Sequence, residues 1–190
     1  MKKHVKTFLA MSIICTLILV SWATVRIVKS VQFEFECEAF LKRASNANTI
    51  ELAKTELGRA IEYVESNDLT EGVVSIFLKN PANDMDFWYK NMKLAYEELD
   101  TLPVDATSLE KTNVLMKLRE SLTDNDSNGT TGVIIPSGIT VYPNNTLYFL
   151  WGTLSIVATT VFWTLFSISL GLKFETVQVQ KKIVRKKIKK

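Results

Sequence analysis

Few side chains in this 190-residue sequence are of a type and spacing that could do chemistry. One histidine is present, His4, in the amino-terminal tail, which excludes a Ser/His/Asp triad and a histidine-ligated metal centre. Asp84 and Asp86 beside Asn83 come nearest to a cation site. A calcium loop of the EF-hand type needs oxygen ligands at alternate positions, a central glycine and a closing glutamate, and these are missing. Carboxylates so placed also complement the positive end of a helix, and that is the role expected here. The two cysteines, Cys15 and Cys37, fall inside and just beyond the first apolar run, so a disulfide between them is not expected. Cys37 reads as a buried small hydrophobe, with an intermolecular disulfide or a lipidation site as the functional alternatives. The sequence carries no Walker loop, GxSxG, HExxH or CxxC motif. No catalytic, metal-ligating or cofactor-binding residue is assigned, and no enzyme is expected.

Residues suited to contact rather than catalysis are more numerous. Phe87, Trp88 and Tyr89 follow one another, and on a helix three successive side chains cannot share one narrow face. They read either as core plus helix–helix contact or as an exposed aromatic patch, with Trp88 and Tyr89 as the candidate partner contacts. Thr153, Thr160, Thr164, Ser167 and Gly171 are separated by 7, 4, 3 and 4 residues and so form one helical stripe. Small and hydroxyl side chains in such a stripe let backbones approach and hydrogen-bond inside a membrane. Ser12, Thr16 and Ala23, separated by 4 and 7, make a comparable stripe. Either the two stripes pack on each other or the second is the seam to another membrane protein, or to further copies of this chain. The closing segment KKIVRKKIKK supplies Lys181, Lys182, Arg185, Lys186, Lys187, Lys189 and Lys190. Beside a membrane these bind anionic lipid headgroups at about 1 kcal/mol per basic residue; nucleic acid is not the expected partner.

The elements that must position these groups are dominated by two uncharged runs. The second, Leu147 to Leu172, is 26 residues long, against roughly 20 needed to cross the hydrocarbon of a bilayer as a helix. Tyr148, Phe149 and Trp151 cluster at one end and Lys173 closes the other, as interfacial anchors would. The first, Thr7 to Val25, is 19 residues long behind Lys2, Lys3 and Lys6. It exceeds a usual signal core and no Ala-x-Ala cleavage site follows, so it reads as a retained anchor. Charge is segregated around these runs. Residues 1–29 carry +5, residues 30–146 carry 10 basic and 19 acidic side chains for −9, and residues 173–190 carry 8 basic side chains against Glu175 for +7. By the positive-inside tendency both ends lie in the cytoplasm and the acidic middle outside, with a bacterial inner (plasma) membrane as the expected site. Neither run holds an ionisable residue other than Cys15 and Tyr148, so no proton or ion path through this chain is expected.

The middle segment reads as helical. Phe33, Cys37, Phe40, Leu41 and Ala44 recur at helical spacing, so the first helix is expected to continue outward. A second helix is expected from a capping box at Asn48 and Glu51 to about Asn67, with Ile50, Ala53, Leu57, Ala60, Ile61 and Val64 as its apolar stripe. Val73–Leu78 reads as a short helix in preference to a strand. A third helix starts at Asp84 or Asp86, with Trp88, Met92, Ala95, Leu99 and Leu102 on one face, and Pro103 ends it. Thr107 and Glu110 form a capping box for a fourth, whose apolar positions are Leu109, Leu115, Met116, Leu118 and Leu122. From Thr123 to Asn145 the chain is rich in Gly, Ser, Thr and Asn, with Pro136 and Pro143, and reads as a linker leading to the membrane, with short extended pieces from Val133 and Ile139 that either pack on the helices or lie at the bilayer surface. Asn125, Asn128 and Asn144 each open an Asn-x-Ser/Thr triplet.

The order apolar helix, helical domain, apolar helix resembles the sensor half of bacterial chemoreceptors, whose outer domain is a four-helix bundle; the HAMP or kinase domain of those receptors has no counterpart in the 18 residues after Leu172. The segments CEAFLKRASNANTIELA from Cys37 and FWYKNMK from Phe87, with Leu69 and Thr70 between them, are similar to a family of small bacterial and phage proteins of no assigned activity. That resemblance spans roughly residues 35 to 100 and implies a compact helical module. The expectation is thus a mainly α protein with two transmembrane helices (7–29 and 147–172) flanking a small extracytoplasmic helical bundle (30–122). A linker (123–146), a short cytoplasmic tail (1–6) and a basic cytoplasmic tail (173–190) complete it. Its expected role is that of a non-enzymatic accessory or interaction subunit, or alternatively of a minimal ligand sensor coupled to a separate signalling partner.

Overall fold

The computed structural model describes the backbone of residues 2–125 and 131–188, and the side chains of residues 4–124 and 131–181. The chain is mainly helical and divides into two compact units, residues 1–25 with 147–190, and residues 26–146. Two of its helices are long and apolar enough to cross a membrane, over His4–Ser45 and Asn145–Lys181.

The first unit consists of most of helix α1 (Lys2–Phe33) and of helix α6 (Asn145–Ile188). Both are apolar around most of their circumference, so exposed Ile, Leu and Val side chains surround the pair. Ser12, Cys15 and Ser155 are buried, and the two helices meet antiparallel through their side chains. Near one end the Trp22 indole N–H donates to the Tyr148 carbonyl at 2.9 Å. Further along, Trp163 N–H donates to Thr16 Oγ at 3.0 Å, and Thr16 in turn donates to the Ser12 carbonyl at 2.8 Å. Gly152 is needed where the Trp22 ring lies, because a Cβ there would stand 2.6 Å from two ring carbons. Helix α6 runs without interruption beyond Leu172 through Ile188, so the basic segment up to that residue continues the helix.

The second unit is built on amphipathic helices. After Phe33 the chain makes a π-helical turn, Glu34–Glu38, and continues as α2 (Ala39–Ser45), which keeps Phe33, Cys37, Leu41 and Ala44 on the buried side. Helix α3 (Ile50–Ser66) buries all six residues of its expected stripe. Its cap is Thr49, whose hydroxyl accepts from Leu52 N–H; Asn48 and Glu51 do not form the box expected of them. The helix closes in a Schellman arrangement, with Asp68 left-handed at φ 55° and Leu69 N–H reaching back to the Val64 carbonyl at 2.9 Å. Helix α4 (Met85–Asp100) is capped by Asp84, which accepts from the amides of Asp86 and Phe87, and Asp86 pairs with Lys90. Helix α5 (Ser108–Leu122) opens on the complete Thr107/Glu110 capping box. Of the five apolar positions expected to face inward there, Leu118 and Leu122 are buried and Leu115 is partly so, while Leu109 and Met116 are 69% and 54% exposed.

One segment departs from the expected pattern, and in another one of two expected arrangements is found. Val73–Leu78 is neither a helix nor a regular strand. Gly72 turns the chain at φ +99°, and Val73 makes an isolated antiparallel bridge to Asp84, fixed by Val74 N–H to Asn83 O at 3.0 Å and Met85 N–H to Gly72 O at 2.9 Å. The segment read as a linker is packed onto the helices. Strands β1 (Thr123–Asn125) and β2 (Thr131–Val133) pair antiparallel, Thr123 opposite Val133. Trp88 N–H donates to the Ile134 carbonyl at 2.8 Å, and the 3₁₀ turn Ile139–Val141 buries Ile139 and Val141. Asn128 lies outside the described residues, as does the Asn125 side chain. Among the described residues one carboxylate is inside the unit: Glu56 is 2% exposed and held by Arg43 at 2.7 Å, a pair costly to break because it would leave a charge buried alone.

Candidate functional site

Two features of the described residues are organised enough to act on another molecule. One is a polar cleft of about 180 Å³ at one end of the second unit. Helix α1 brings Lys29, Gln32 and Phe33 to it, the end of α3 brings Tyr63 and Asn67, and the 139–144 turn brings Thr140, Tyr142 and Asn144. Each wall has a local cause. The Schellman closure of α3 turns Leu69 inward and leaves Asn67 at the rim, where its amide N–H donates to the Tyr63 carbonyl at 2.9 Å. The Tyr63 ring meets Phe33 edge-on at 5.9 Å. Burial, then Cys37 and Glu36 nearby, pushes the Tyr63 phenol above its ordinary pKa, so it stays protonated and able to donate. Tyr142 gives its hydroxyl to the Glu71 carbonyl at 2.6 Å, across the backbone of Gly72, where a Cβ would collide with it. Among the described residues Lys29 is the single charged side chain in the lining; it is exposed and pairs with no acid of theirs. The arrangement presents a cation and several neutral donors to a small anionic or polar group.

The other feature is the uncovered surface of two helices. Thr153 is half-buried, and Thr160, Thr164, Ser167 and Gly171 are exposed on α6. Tyr148, Gly152 and Ser155, a different line, carry the contact with α1. The expected packing of the two small-residue stripes on each other is therefore not what holds this pair. On α1 the expected positions do take part, Ser12 buried and Thr16 accepting the Trp163 bond. On α4 the aromatic triplet divides three ways. Trp88, a candidate contact residue, is 7% exposed and bonded into the core. Tyr89 lies half-buried with its hydroxyl on Glu65 at 2.5 Å, while Phe87, the member of the triplet not among the two candidate contacts, is 61% exposed. Beside Phe87 an apolar hollow of about 130 Å³ opens between α4, Leu122 and Ile134.

Cys37 is fully buried, its thiol directed to the Ala60 carbonyl and its pKa pushed up to about 12, first by burial and then by Glu38. A thiol so placed is unreactive, which matches the reading of a buried small hydrophobe. Asp84 serves as a helix cap, and among the described residues no cluster of His, Cys, Asp and Glu has the makings of a metal site. Lys181 is exposed at the far end of α6; the side chains of Lys182, Arg185, Lys186 and Lys187, and all of Lys189 and Lys190, lie outside the described residues.

No protein-family model matches the chain, and neither a curated protein nor a solved structure is similar to it at a significant level.

Proposed function

We propose that the chain is a non-enzymatic accessory subunit of the bacterial inner membrane, spanning it with α1 and α6, with both termini cytoplasmic and residues 30–146 outside. Its partner is another membrane protein or further copies of itself. The observation that supports this reading is the unused face of α6. The contact with α1 occupies one line of the helix and leaves Thr160, Thr164, Ser167 and Gly171 open along another, and hydroxyl and small residues are what helix partners in lipid pack against. In-cell crosslinking of the tagged chain followed by mild-detergent purification and mass spectrometry tests it. A stoichiometric membrane partner or a defined oligomer, lost when Thr160 and Thr164 are changed to Leu, is the expected result; a monomer with no partner overturns it. Topology is tested separately by single cysteines near residue 110, which should react with impermeant reagents only from outside.

A second reading, a minimal ligand sensor, is favoured by the polar cleft. It gathers neutral donors around one cation beside a core that is mostly apolar.

A further inference from the structure

We propose that the cleft around Lys29 binds a phosphate group, and that its natural source is the headgroup of a membrane phospholipid. Three observations converge. Among the described residues the lining contains no acidic side chain although residues 30–146 carry a net −9, so Lys29, the one charge those residues bring to it, stands where an anion can reach it. Around it stand neutral groups able to donate, the protonated Tyr63 phenol, the Thr140 hydroxyl and the Asn144 amide. Phosphate oxygens take several such bonds at once, and charge-assisted ones are the stronger.

The third observation is position along the chain. Lys29 lies four residues past Val25, the last of the first uncharged run, on the same continuous helix α1, and Asn144 lies three residues before Leu147. Four helical residues rise about 6 Å, which is the thickness of one headgroup layer outside the roughly 30 Å hydrocarbon core. The inference rests on the reading that α1 spans a membrane; given that, Lys29 stands at the depth of lipid phosphates, and the cleft takes a group that is already there at high local concentration.

The test uses the full chain, purified in a mild detergent and also placed in phosphatidylglycerol-containing nanodiscs. Native mass spectrometry counts retained phospholipid for the wild type, for Lys29→Gln and Lys29→Glu, and for Lys117→Gln on α5 as control. In parallel, inorganic phosphate is titrated into the delipidated protein and followed by phosphorus NMR. Loss of retained lipid by about tenfold in both Lys29 variants, with the control unchanged, is the expected result. Lys29-dependent binding of inorganic phosphate alone also supports a phosphate site and identifies its source as a free anion. Protein that is helical and resists carbonate extraction, yet shows no Lys29-dependent binding in either arm, overturns the cleft proposal and leaves the membrane reading standing. Protein that carbonate strips from membranes overturns both.

Discussion

The two units are held together by different physics. In the second, water does the sorting: Leu41, Leu57, Val64, Met85 and Met92 are essentially inaccessible, and each fully buried side chain of this kind contributes roughly 1.5–3 kcal/mol. In the first, both helices are apolar on nearly every side, so hydrophobicity does not choose the face by which they meet. The choice falls to the few groups that differ from their neighbours: Trp22 and Trp163, which carry N–H groups needing acceptors, Gly152, which admits a ring, and the buried Ser12 and Ser155. Apolar content builds the one unit, and exceptions to it build the other.

That contrast can be broken from either side. Leu57→Ala removes a side chain with no exposure at the centre of α3 and should cost about 2–5 kcal/mol. Hydrogen exchange should show α3 and α4 amides losing protection while those of Ser12 to Trp22 keep theirs. Gly152→Val is the converse, because its Cβ meets the Trp22 ring. Overpacking of this kind costs about 1–3 kcal/mol, and exchange should now rise along α1 and α6 with α3 unchanged. Trp22→Phe keeps most of the ring but removes the bond to Tyr148, a loss of about 0.6 kcal/mol by the average for hydrogen bonds between helices in lipid; unfolding in mixed micelles measures it.

The smallest effect is electrostatic and belongs to the second unit alone. The Tyr89 hydroxyl, then Lys93, holds the Glu65 carboxyl below its ordinary value of 4.5. A carboxylate depressed on folding adds stability that is present above the unfolded pKa and is lost as the pH falls through the folded one. The pair is half in water, so the contribution is a few tenths of a kcal/mol. Glu65→Gln should cost those few tenths of a kcal/mol at pH 7, where the contribution is fully present, and the difference from the wild type should vanish as the pH falls below about 4.5.

What was legible follows the same division. The stripe of α3 was readable in full because one face of a helix packs on a core and the other meets water, so period and burial coincide. Helix α5 was readable only in part. Its Leu109 and Met116 have the right chemistry, but among the described residues they are left largely exposed. Glu56 was invisible as a buried position, since its burial depends on an arginine thirteen residues away in sequence reaching over it. The segment after Thr123 reads as a linker by composition, its extended pieces at Val133 and Ile139 fitting either the helices or a bilayer surface; the Trp88 bond to Ile134 and the burial of Ile139 against the core choose the helices, through groups far apart in sequence.

The amino-acid sequence by itself determined the two uncharged runs, the segregation of charge, the helices between them and the cap at Thr107, because each depends on residues within one or two turns of one another. Only the tertiary structure decided which face of α6 meets α1, which of Phe87, Trp88 and Tyr89 is left exposed, and that Lys29, Tyr63 and Asn144 share one cleft. Those outcomes depend on groups tens of residues apart arriving at the same place, and a short-range pattern carries no record of that.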